Sequence, residues 1–414
     1  MSRVDSRAME RRDLASPAAV VIAVGGLYVG QSVIGGMTFM ALPSVLREKG
    51  LSLDHIGLTY LAVLPWVIKF LWAPAIERYR SPAEGYSRSR SIVLVGGLLA
   101  ALGLAAAGLA GLGNLVVLIG IFVLVAFAAA TVDIACDGHA VEALAERHHG
   151  WGNAAQVGGA YLGAAVGSGL FLVLVERFGW RPAALVMAAL LLVLALPFLM
   201  SPPAVSAGSP TRTPSLMQAL ARREMRRGLL LAAVFVTAQK WGVSMLGPFL
   251  VDAGLDLTSL GVINGLGGLA VGFASALAGG ALVRLWGARV VMVLALGLQA
   301  LALAGLAFAA LRGLPQPVLV ACALASSSGI MALGFVALYA RFMALADVRQ
   351  AGVDFTLLQC MDALVSMAGG VGAGWIAQHW GFGTCFALAA GLAVIAGPVV
   401  AVLSRQDGAP RPAP

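Results

Sequence analysis

Five charged residues lie within long apolar stretches of the sequence, where a charge carries a physical cost. Two are basic, Lys69 and Lys240, and three are acidic, Asp133, Asp137 and Asp362. A charge in hydrocarbon costs at least about 2.5–3.5 kcal/mol, so charged residues inside a membrane are candidates for function. Asp133 and Asp137 are four residues apart, which places both on one face of a helix. Such groups can pair with each other, carry protons or bind a charged solute.

The positions of these charges along their stretches predict which of them pair. Lys69 is expected to pair with Asp133 or with Asp362, which lie at similar depths. Lys240 has no acidic residue obviously at its depth, so we predict an unpaired lysine that contacts an anionic group of a ligand. A paired charge can equally hold helices together or gate a cavity, and that alternative stays open for Lys69 and Asp133. Carboxylates in a low-dielectric cavity can also carry protons, so proton coupling is expected through Asp133 or Asp362.

Polar and aromatic side chains in the same apolar stretches complete the set of candidate residues. Beside the two lysines, the candidates for contact with a ligand are Trp66, Trp241, Tyr28, Gln31, Gln156, Tyr161, Gln239 and Gln359. Beside Asp133 and Asp362, the candidates for proton coupling or gating are Asp137, Glu77 and Arg78. Gln and Tyr inside membrane helices more often join helices than bind ligands, so each is also a candidate for a purely structural contact.

The composition decides the environment in which these residues must be positioned. Of 414 residues, 60% are apolar and only 11% are charged, whereas a soluble domain carries about 25% charge because its surface must be wet. The chain is therefore predicted to be a membrane protein. The net charge of +8 does not indicate a nucleic-acid partner, because the arginines lie in short loops between apolar runs rather than on one folded face.

The elements that position the candidates are predicted to be membrane-spanning helices. A spanning helix needs about 20 mostly apolar residues, and that length predicts an all-α, polytopic fold with twelve transmembrane helices. The predicted segments are roughly 18–44, 56–76, 92–110, 115–137, 153–175, 182–200, 228–250, 258–282, 290–311, 316–340, 355–377 and 382–403.

A polar stretch in the middle of the chain divides these helices into six and six. The predicted domains are an N-terminal six-helix bundle at 1–200, a cytoplasmic linker at 201–227, a C-terminal six-helix bundle at 228–403 and a cytoplasmic tail at 404–414. Within the linker, 215–227 is predicted to form a short basic amphipathic helix. With both termini in the cytoplasm, 20 of the 27 Lys and Arg residues fall on the cytoplasmic side, as the positive-inside rule requires.

The two predicted halves resemble each other at three places along the chain. Residues 45–57 align with 249–261 at an offset of 204, 73–78 with 279–284 at 206, and 176–180 with 378–382 at 202. Chance similarity between apolar sequences would not keep the offset nearly constant. We infer a duplicated unit of six helices in which the second copy runs in the same direction as the first.

Other kinds of chemistry find little support in the sequence. There is no GxxxxGK[ST] nucleotide motif and no HExxH metal motif, and the four cysteines are far apart, so no cofactor, metal site or disulfide framework is expected. The glycine-rich stretches 158–169 and 265–280 predict close helix packing. A secondary transporter is favoured over an intramembrane protease or lipid transferase, which would need a nucleophile–base pair or a metal.

Two motifs carry a resemblance to a known family. They are PWVIKFLWAPAIERYR (65–80) and ATVDIACDGHAVE (130–142), and LREKGLSLDHIG (46–57) and AGVDFTLLQCMDALVSMAGG (351–370) agree with them. Together they resemble the siderophore-permease branch of the major facilitator superfamily, the rhizobactin and pyochelin permease type, which is related to muropeptide permeases. The resemblance covers essentially the whole chain.

The resemblance implies a cargo and a location. It implies that a small ferric siderophore, with ferripyochelin as the first candidate, is imported from periplasm to cytoplasm across a bacterial inner membrane. The alternative cargo is a muropeptide or another small organic anion. Muropeptide permeases usually have extra helices and an acidic position near Gln239 and Lys240, and the lysine departs from that pattern. The protein is expected to act as a monomer in the lipid bilayer, without nucleic acid, and downstream of an outer-membrane receptor that it does not stably contact.

Overall fold

The computed structural model describes residues 17–80, 82, 86–143, 149–201, 216–345 and 351–404, nearly all of them in helices. The N-terminal residues 1–16, most of the predicted linker (202–215) and the predicted tail from residue 405 onward lie outside the described residues. The prediction of an all-α polytopic fold is confirmed.

Ten of the described helices are long and apolar enough to cross a membrane. They are α1 (Ala18–Glu48), α2 (Leu53–Leu71), α3 (Ser89–Ala110), α4 (Leu115–Ala140), α5 (Gly158–Phe178), α6 (Trp180–Met200), α7 (Arg223–Asp252), α8 (Leu257–Arg312), α9 (Gln316–Phe342) and α10 (Thr356–Leu403). Short helices at Ala73–Arg80 and Leu216–Ala221 precede α3 and α7, and α5 continues a helix that begins at His149.

Two of the ten helices are too long for one crossing. With 56 and 48 residues and a rise of about 1.5 Å per residue, α8 and α10 each exceed twice the hydrocarbon thickness of about 30 Å. Each is interrupted by one glycine with non-helical angles, Gly287 (φ 80°, ψ 154°) in α8 and Gly381 (φ 80°, ψ 165°) in α10. Both glycines fall between the segments that the sequence predicts as separate helices. The count of twelve spans and the cytoplasmic position of both termini stay predictions.

Several membrane helices are irregular in the middle. Within the described residues, π-helical turns occur at Met37–Ala41, Ala165–Leu170, Ile263–Gly267 and Ala325–Ile330, and 3-10 turns occur at Thr59–Val63, Lys69–Leu71 and Gly242–Met245. Such turns expose backbone groups and often mark functional positions in a helix. The turns at Thr59–Val63 and Ile263–Gly267 are 204 residues apart, the same offset at which the two halves of the sequence align.

Glycines with left-handed backbone angles repeat at the same offsets. Gly50 (φ 83°) and Gly254 (φ 87°) end α1 and α7, and in both turns the following leucine donates a backbone hydrogen bond to a leucine five residues earlier (3.0 and 3.1 Å). Gly179 (φ 84°) and Gly381 (φ 80°) lie 202 residues apart between successive apolar helices. Only glycine adopts such angles without strain. The local geometry therefore repeats where the sequence does.

The chain forms two compact units. One unit comprises Met1–Thr213 with Gly247–Leu269, and the other comprises Pro214–Leu246 with Ala270–Pro414. The C-terminal end of α7 and the start of α8 thus pack with the N-terminal helices, although the chain on either side of that segment belongs to the second unit. The predicted division into two six-helix bundles, a linker and a tail stays a prediction.

The predicted amphipathic helix at 215–227 is interrupted. A short helix covers Leu216–Ala221, and the extended backbone of Arg222 (φ −72°, ψ 129°) separates it from α7. Arg222 pairs with Asp354, whose side chain is completely buried. That ion pair ties the start of α7 to the helix that leads into α10.

Small residues allow the helices of the first unit to approach closely. A methyl group on Gly159 would lie 2.9 Å from the Cβ of Tyr28, and methyl groups on Gly163 and Gly167 would collide with the backbone of α1. Helices in lipid associate through van der Waals packing and interhelical hydrogen bonds rather than through the hydrophobic effect, and a close approach of the backbones favours that packing. The predicted role of the glycines at 158–169 is confirmed.

Candidate functional site

The first unit holds a buried ion pair between α2 and α4. The Nζ of Lys69 donates to Oδ2 of Asp133 at 3.0 Å, and only 7% and 13% of these two side chains are exposed. Of the two partners predicted for Lys69, the structure selects Asp133. Lys69 opens a 3-10 turn, and the residue before it, Ile68, departs from helical angles (φ −106°, ψ 7°). The break in α2 therefore occurs at the lysine itself.

A second carboxylate lies on the same face of α4, one turn away. The hydroxyl of Tyr28 in α1 donates to Oδ1 of Asp137 at 2.7 Å, and Tyr28 is buried. The spacing of four residues brings Asp133 and Asp137 to one side of the helix, as predicted. In this cluster of described side chains, Lys69 therefore bonds to one carboxylate, that of Asp133, and the phenol of Tyr28 bonds to the other, that of Asp137. An arrangement with more acids than cations can hold a proton on one carboxylate, since two like charges close together cannot both ionise cheaply.

The second unit holds an ion pair that the sequence did not predict. The Nζ of Lys240 donates to Oδ1 of Asp362 at 2.6 Å and to Oγ of Ser366 at 3.2 Å. It also lies 4.8 Å from the ring centroid of Phe335. The prediction that Lys240 has no acidic partner is wrong, because depth was estimated by counting residues along helices. That count ignores how α7 packs on α10.

The two lysine sites differ in their access to solvent. The side chain of Lys240 is 29% exposed and that of Asp362 is 14% exposed, so this pair is more open than that of Lys69 and Asp133. Ser366 follows Asp362 by one helical turn and also donates to its backbone carbonyl at 2.8 Å. Lys240 therefore combines a charge, a hydroxyl neighbour and an aromatic face in a partly accessible place.

The predicted aromatic and amide candidates fall into two groups. Gln239 is completely buried, and neither its Oε1 nor its Nε2 has a hydrogen-bond partner among the described residues. The half-buried candidates, in α1, α2, α7, α10 and the helix that begins at His149 and continues into α5, are Gln31, Trp66, Gln156, Tyr161, Trp241 and Gln359. The ring of Trp241 fits against Gly372, where a methyl group would lie 2.7 Å from Cη2. The part these residues play toward a ligand stays a prediction.

Sequence reasoning missed a polar contact beside Gln239. The fully buried Gln299 donates from Nε2 to the backbone carbonyl of Gln239 at 3.1 Å and to Oγ of Ser326 at 2.8 Å. Gln239 stands at the end of the regular part of α7, and Ser326 lies in a π-helical turn of α9. The sequence does show Gln299 as a polar residue in an apolar helix. It does not show that this side chain bonds to the backbone at the end of another helix.

The predicted gating pair at Glu77 and Arg78 is arranged differently. Glu77 pairs with Arg80, three residues on in the same short helix, and Arg78 is exposed. The guanidinium of Arg80 is buried against Gly138 in α4. A methyl group on Gly138 would lie 2.5 Å from the Cζ of Arg80. Sequence reasoning missed Arg80, although its spacing of three from Glu77 is a helical ion-pair spacing. The role of Glu77 and Arg78 in gating stays a prediction.

Comparison with known proteins defines the class. The sequence model of the Major Facilitator Superfamily matches residues 24–357. The chain therefore belongs to the major facilitator superfamily, and it is a multi-pass membrane transporter rather than an enzyme. Among solved structures it is similar to the nucleoside transporter NupG (D323A mutant), with a TM-score of 0.72, 13% identity, and coverage of 93% of this chain and 100% of that one. At that identity the likeness concerns the fold alone.

Two curated relatives are named more specifically. The chain is 27% identical over 400 residues to the anhydromuropeptide permease of Escherichia coli strain K12, covering 94% of this chain and 80% of that protein. It matches the protein of the same name in Escherichia coli O157:H7 equally well. An uncharacterised protein of Haemophilus influenzae is 32% identical over 142 residues, 34% of this chain and 33% of that one. These relatives support a permease, and they do not support the siderophore specificity that the sequence motifs suggested.

Proposed function

We propose that the protein imports muropeptides from periplasm to cytoplasm across a bacterial inner membrane. The observation that carries this proposal is the similarity to anhydromuropeptide permeases at 27% identity, which extends over 94% of this chain. This similarity favours a muropeptide, the alternative cargo given by the sequence analysis, over a ferric siderophore. The departure at Lys240 from the pattern expected of muropeptide permeases does not weigh against it, because Asp362 neutralises that lysine in place.

The chemistry of the second unit supports an anionic cargo. A muropeptide joins sugar to a short peptide and so carries carboxylates beside amide and hydroxyl groups. In this proposal a carboxylate of the cargo displaces Asp362 from Lys240, and Ser366 donates to the group that the lysine holds. The exchange replaces one charge-assisted hydrogen bond by another of similar strength. The partial exposure of Lys240 supports such an exchange.

The chemistry of the first unit supports coupling to protons. Asp133 is engaged by Lys69, and Asp137 accepts from the hydroxyl of Tyr28. In the proposed cycle Asp137 takes up a proton, and Asp133 stays paired with the lysine. In this proposal Asp362 belongs to the cargo site and does not carry the coupled proton. The expectations of a monomeric transporter and of an outer-membrane receptor upstream remain part of this proposal.

Uptake by purified protein in sealed vesicles tests the proposal. Vesicles containing the protein receive either radiolabelled anhydromuropeptide or radiolabelled ferripyochelin, with and without an inward proton gradient, and protein-free vesicles serve as the control. We expect accumulation of the anhydromuropeptide that depends on the proton gradient, and only background levels of the ferric complex. Accumulation of ferripyochelin with no uptake of anhydromuropeptide would overturn the proposed cargo. Uptake that a protonophore leaves unchanged would overturn the coupling.

A further inference from the structure

Lys240 lies where the regular α-helical part of α7 ends. That part runs from Arg223 to Lys240, and a 3-10 turn follows at Gly242–Met245. Carbonyl groups in the last turn of a helix lack partners within that helix, and a buried carbonyl needs a donor from elsewhere in the protein. Gln239 belongs to this last turn and is completely buried. Its carbonyl therefore depends on another helix for a hydrogen bond.

The donor to this carbonyl comes from α8. The Nε2 of Gln299 donates to the carbonyl oxygen of Gln239 at 3.1 Å, and Gln299 is completely buried. This carbonyl belongs to the peptide group that joins Gln239 to Lys240. Because a peptide group is planar, the bond from Gln299 fixes the orientation of a plane that contains the Cα of Lys240. Gln299 thus acts on the lysine through the backbone, without a contact to its side chain.

The side chain of Gln239 packs in the narrow space between α7 and α9. A methyl group on Gly334 would lie 3.2 Å from the Nε2 of Gln239, 2.9 Å from Phe235 and 3.0 Å from Ala295. The amide of Gln239 has no hydrogen-bond partner among the described residues. A buried polar group without a partner costs free energy, and an apolar side chain would fill the same space at lower cost. Packing alone does not account for a glutamine here.

The backbone is held as closely on the other side of Lys240. A methyl group on Gly242 would lie 2.9 Å from Leu303 in α8 and 2.9 Å from Ala389 in α10. Leu303 follows Gln299 by four residues, so both side chains lie on one face of α8. This face contacts α7 just before and just after the lysine. The backbone at Lys240 is therefore fixed, while its side chain is 29% exposed.

We propose that Gln299 is a positioning residue of the cargo site, which holds Lys240 where its ammonium group meets a carboxylate of the cargo. Lysine has a flexible four-carbon stem, and a fixed Cα limits the positions that the ammonium group reaches. A group that is ordered before binding loses less freedom when the ligand arrives. The inference rests on the proposed function, because it takes Lys240 as a contact of the cargo.

Nitrogen NMR of the lysine ammonium groups tests the positioning without any cargo. The chain has three lysines, Lys49, Lys69 and Lys240, so protein labelled with nitrogen-15 at lysine Nζ gives three signals, which single Lys→Arg substitutions assign. Gln299→Met keeps the length of the side chain but removes the donor. In this variant we expect the Lys240 signal to shift and broaden, while the signal of Lys69 stays in place as an internal reference.

Ser326→Ala is the matched control for this measurement. The Nε2 of Gln299 also donates to the Oγ of Ser326 at 2.8 Å, so this variant removes one acceptor of Gln299 and leaves the bond to the Gln239 carbonyl. We expect the Lys240 signal to stay as in the unmodified protein. A Lys240 signal that is unchanged in Gln299→Met, or that moves equally in Ser326→Ala, would contradict a positioning role for the bond to Gln239.

Binding of radiolabelled anhydromuropeptide to the purified protein tests whether Gln299 acts through Lys240. Gln299→Met removes one neutral hydrogen bond, so affinity should fall about two- to tenfold. In the Lys240→Met background the same change should have no further effect, because the residue that it positions is gone. An equal loss in both backgrounds would show that Gln299 acts elsewhere and would refute the proposal.

Two further results keep this test decisive. Gln299→Asn retains the amide but is one methylene group shorter, so it repeats both measurements with a polar side chain if Gln299→Met folds poorly. The expected outcome is the same displacement of the Lys240 signal, and an undisturbed signal would count against the proposal. If the unmodified protein does not bind anhydromuropeptide, the proposed cargo fails, and the NMR comparison still decides whether Gln299 holds Lys240.

Discussion

The two intramembrane lysines each form an ion pair with an aspartate, and the surroundings of the two pairs differ. Lys69 and Asp133 are nearly inaccessible, at 7% and 13% exposure, and lie beside a second acid. Lys240 is 29% exposed and is matched to one acid, with a serine and an aromatic ring as further neighbours. The first arrangement is suited to structure and protons, and the second to exchange with a solute. Burial and the number of neighbouring acids, rather than the presence of a lysine, distinguish the two sites.

The largest expected effect comes from breaking the buried pair. Lys69→Met leaves Asp133 without its cation in a low-dielectric place, which costs about 3–5 kcal/mol of folding stability. We expect poor expression and a lower unfolding temperature, measured in detergent by thermal denaturation. Adding Asp133→Asn should restore most of the loss, because the uncompensated charge is removed. Lys49→Met is the control, since Lys49 is 58% exposed; a Lys69→Met protein as stable as this control would mean that the pair is not structural.

The corresponding substitutions in the second unit, at Lys240 and Asp362, test whether the two lysine sites differ in function. Lys240→Met removes a charge-assisted contact worth about 1.5–3 kcal/mol, so the affinity for anhydromuropeptide should fall by about ten- to a hundredfold. Adding Asp362→Asn is expected to restore folding but not affinity, unlike the rescue at Lys69. Binding to purified protein measures the affinity, and thermal denaturation measures the folding. If the double variant binds normally, Lys240 holds helices together and does not contact the cargo.

The proposed proton coupling assigns different roles to Asp137 and Asp133, and a substitution of Asp137 tests this. Asp137→Asn keeps an oxygen that can accept from Tyr28 but cannot bind a proton reversibly. With a pH difference of one unit across the vesicle, one coupled proton supports about tenfold accumulation, or about 1.4 kcal/mol. That accumulation should disappear in Asp137→Asn, whereas exchange of labelled for unlabelled cargo continues. Tyr28→Phe tests the hydrogen bond without removing the acid and should reduce the accumulation less. Full accumulation in Asp137→Asn would assign the proton elsewhere.

The smallest expected effect is that of the serine next to Lys240. Ser366→Ala removes one neutral hydroxyl, which is typically worth about 0.5–1.5 kcal/mol. Affinity for anhydromuropeptide should fall no more than about tenfold, and folding should be nearly unchanged because Ser366 also bonds its own helix backbone. Ser404→Ala is a matched control, since Ser404 likewise donates to the carbonyl four residues earlier but is remote in sequence from the lysine site. An effect as large as that of Lys240→Met would make Ser366 a principal contact.

Much of the fold followed from patterns that act over short distances along the chain. Apolar length predicted the membrane helices, and the structure places Gly287 and Gly381 between segments predicted as separate. The aligned glycines Gly50 and Gly254 have nearly the same backbone angle. A glycine pair that the sequence comparison did not use, Gly111 (φ 69°) and Gly313 (φ 68°), repeats at the 202 offset as well. These features are local because helix length and turn geometry depend on neighbouring residues.

The partners of the charged side chains could be predicted only in part. The i, i+4 spacing correctly placed Asp133 and Asp137 together, and depth narrowed Lys69 to two acids. The estimated depth of Lys240 did not predict its partner. Lys240 and Asp362 are 122 residues apart, and their pairing depends on how α7 packs against α10. Arg47 and Asp252 are 205 residues apart and lie just beyond the predicted ends of their helices, and nothing in the sequence indicates that they pair.

The sequence by itself determined that this chain is a membrane protein built from repeated apolar helices, with a small number of charges that hydrocarbon would penalise. Those properties depend on composition and on local periodicity, which every stretch of chain carries independently of its neighbours. Only the tertiary structure decided which acid neutralises which lysine, how open each pair is to water and which glycines let backbones touch. Those outcomes depend on distances between residues far apart in sequence, and packing sets such distances only after all the helices are in place.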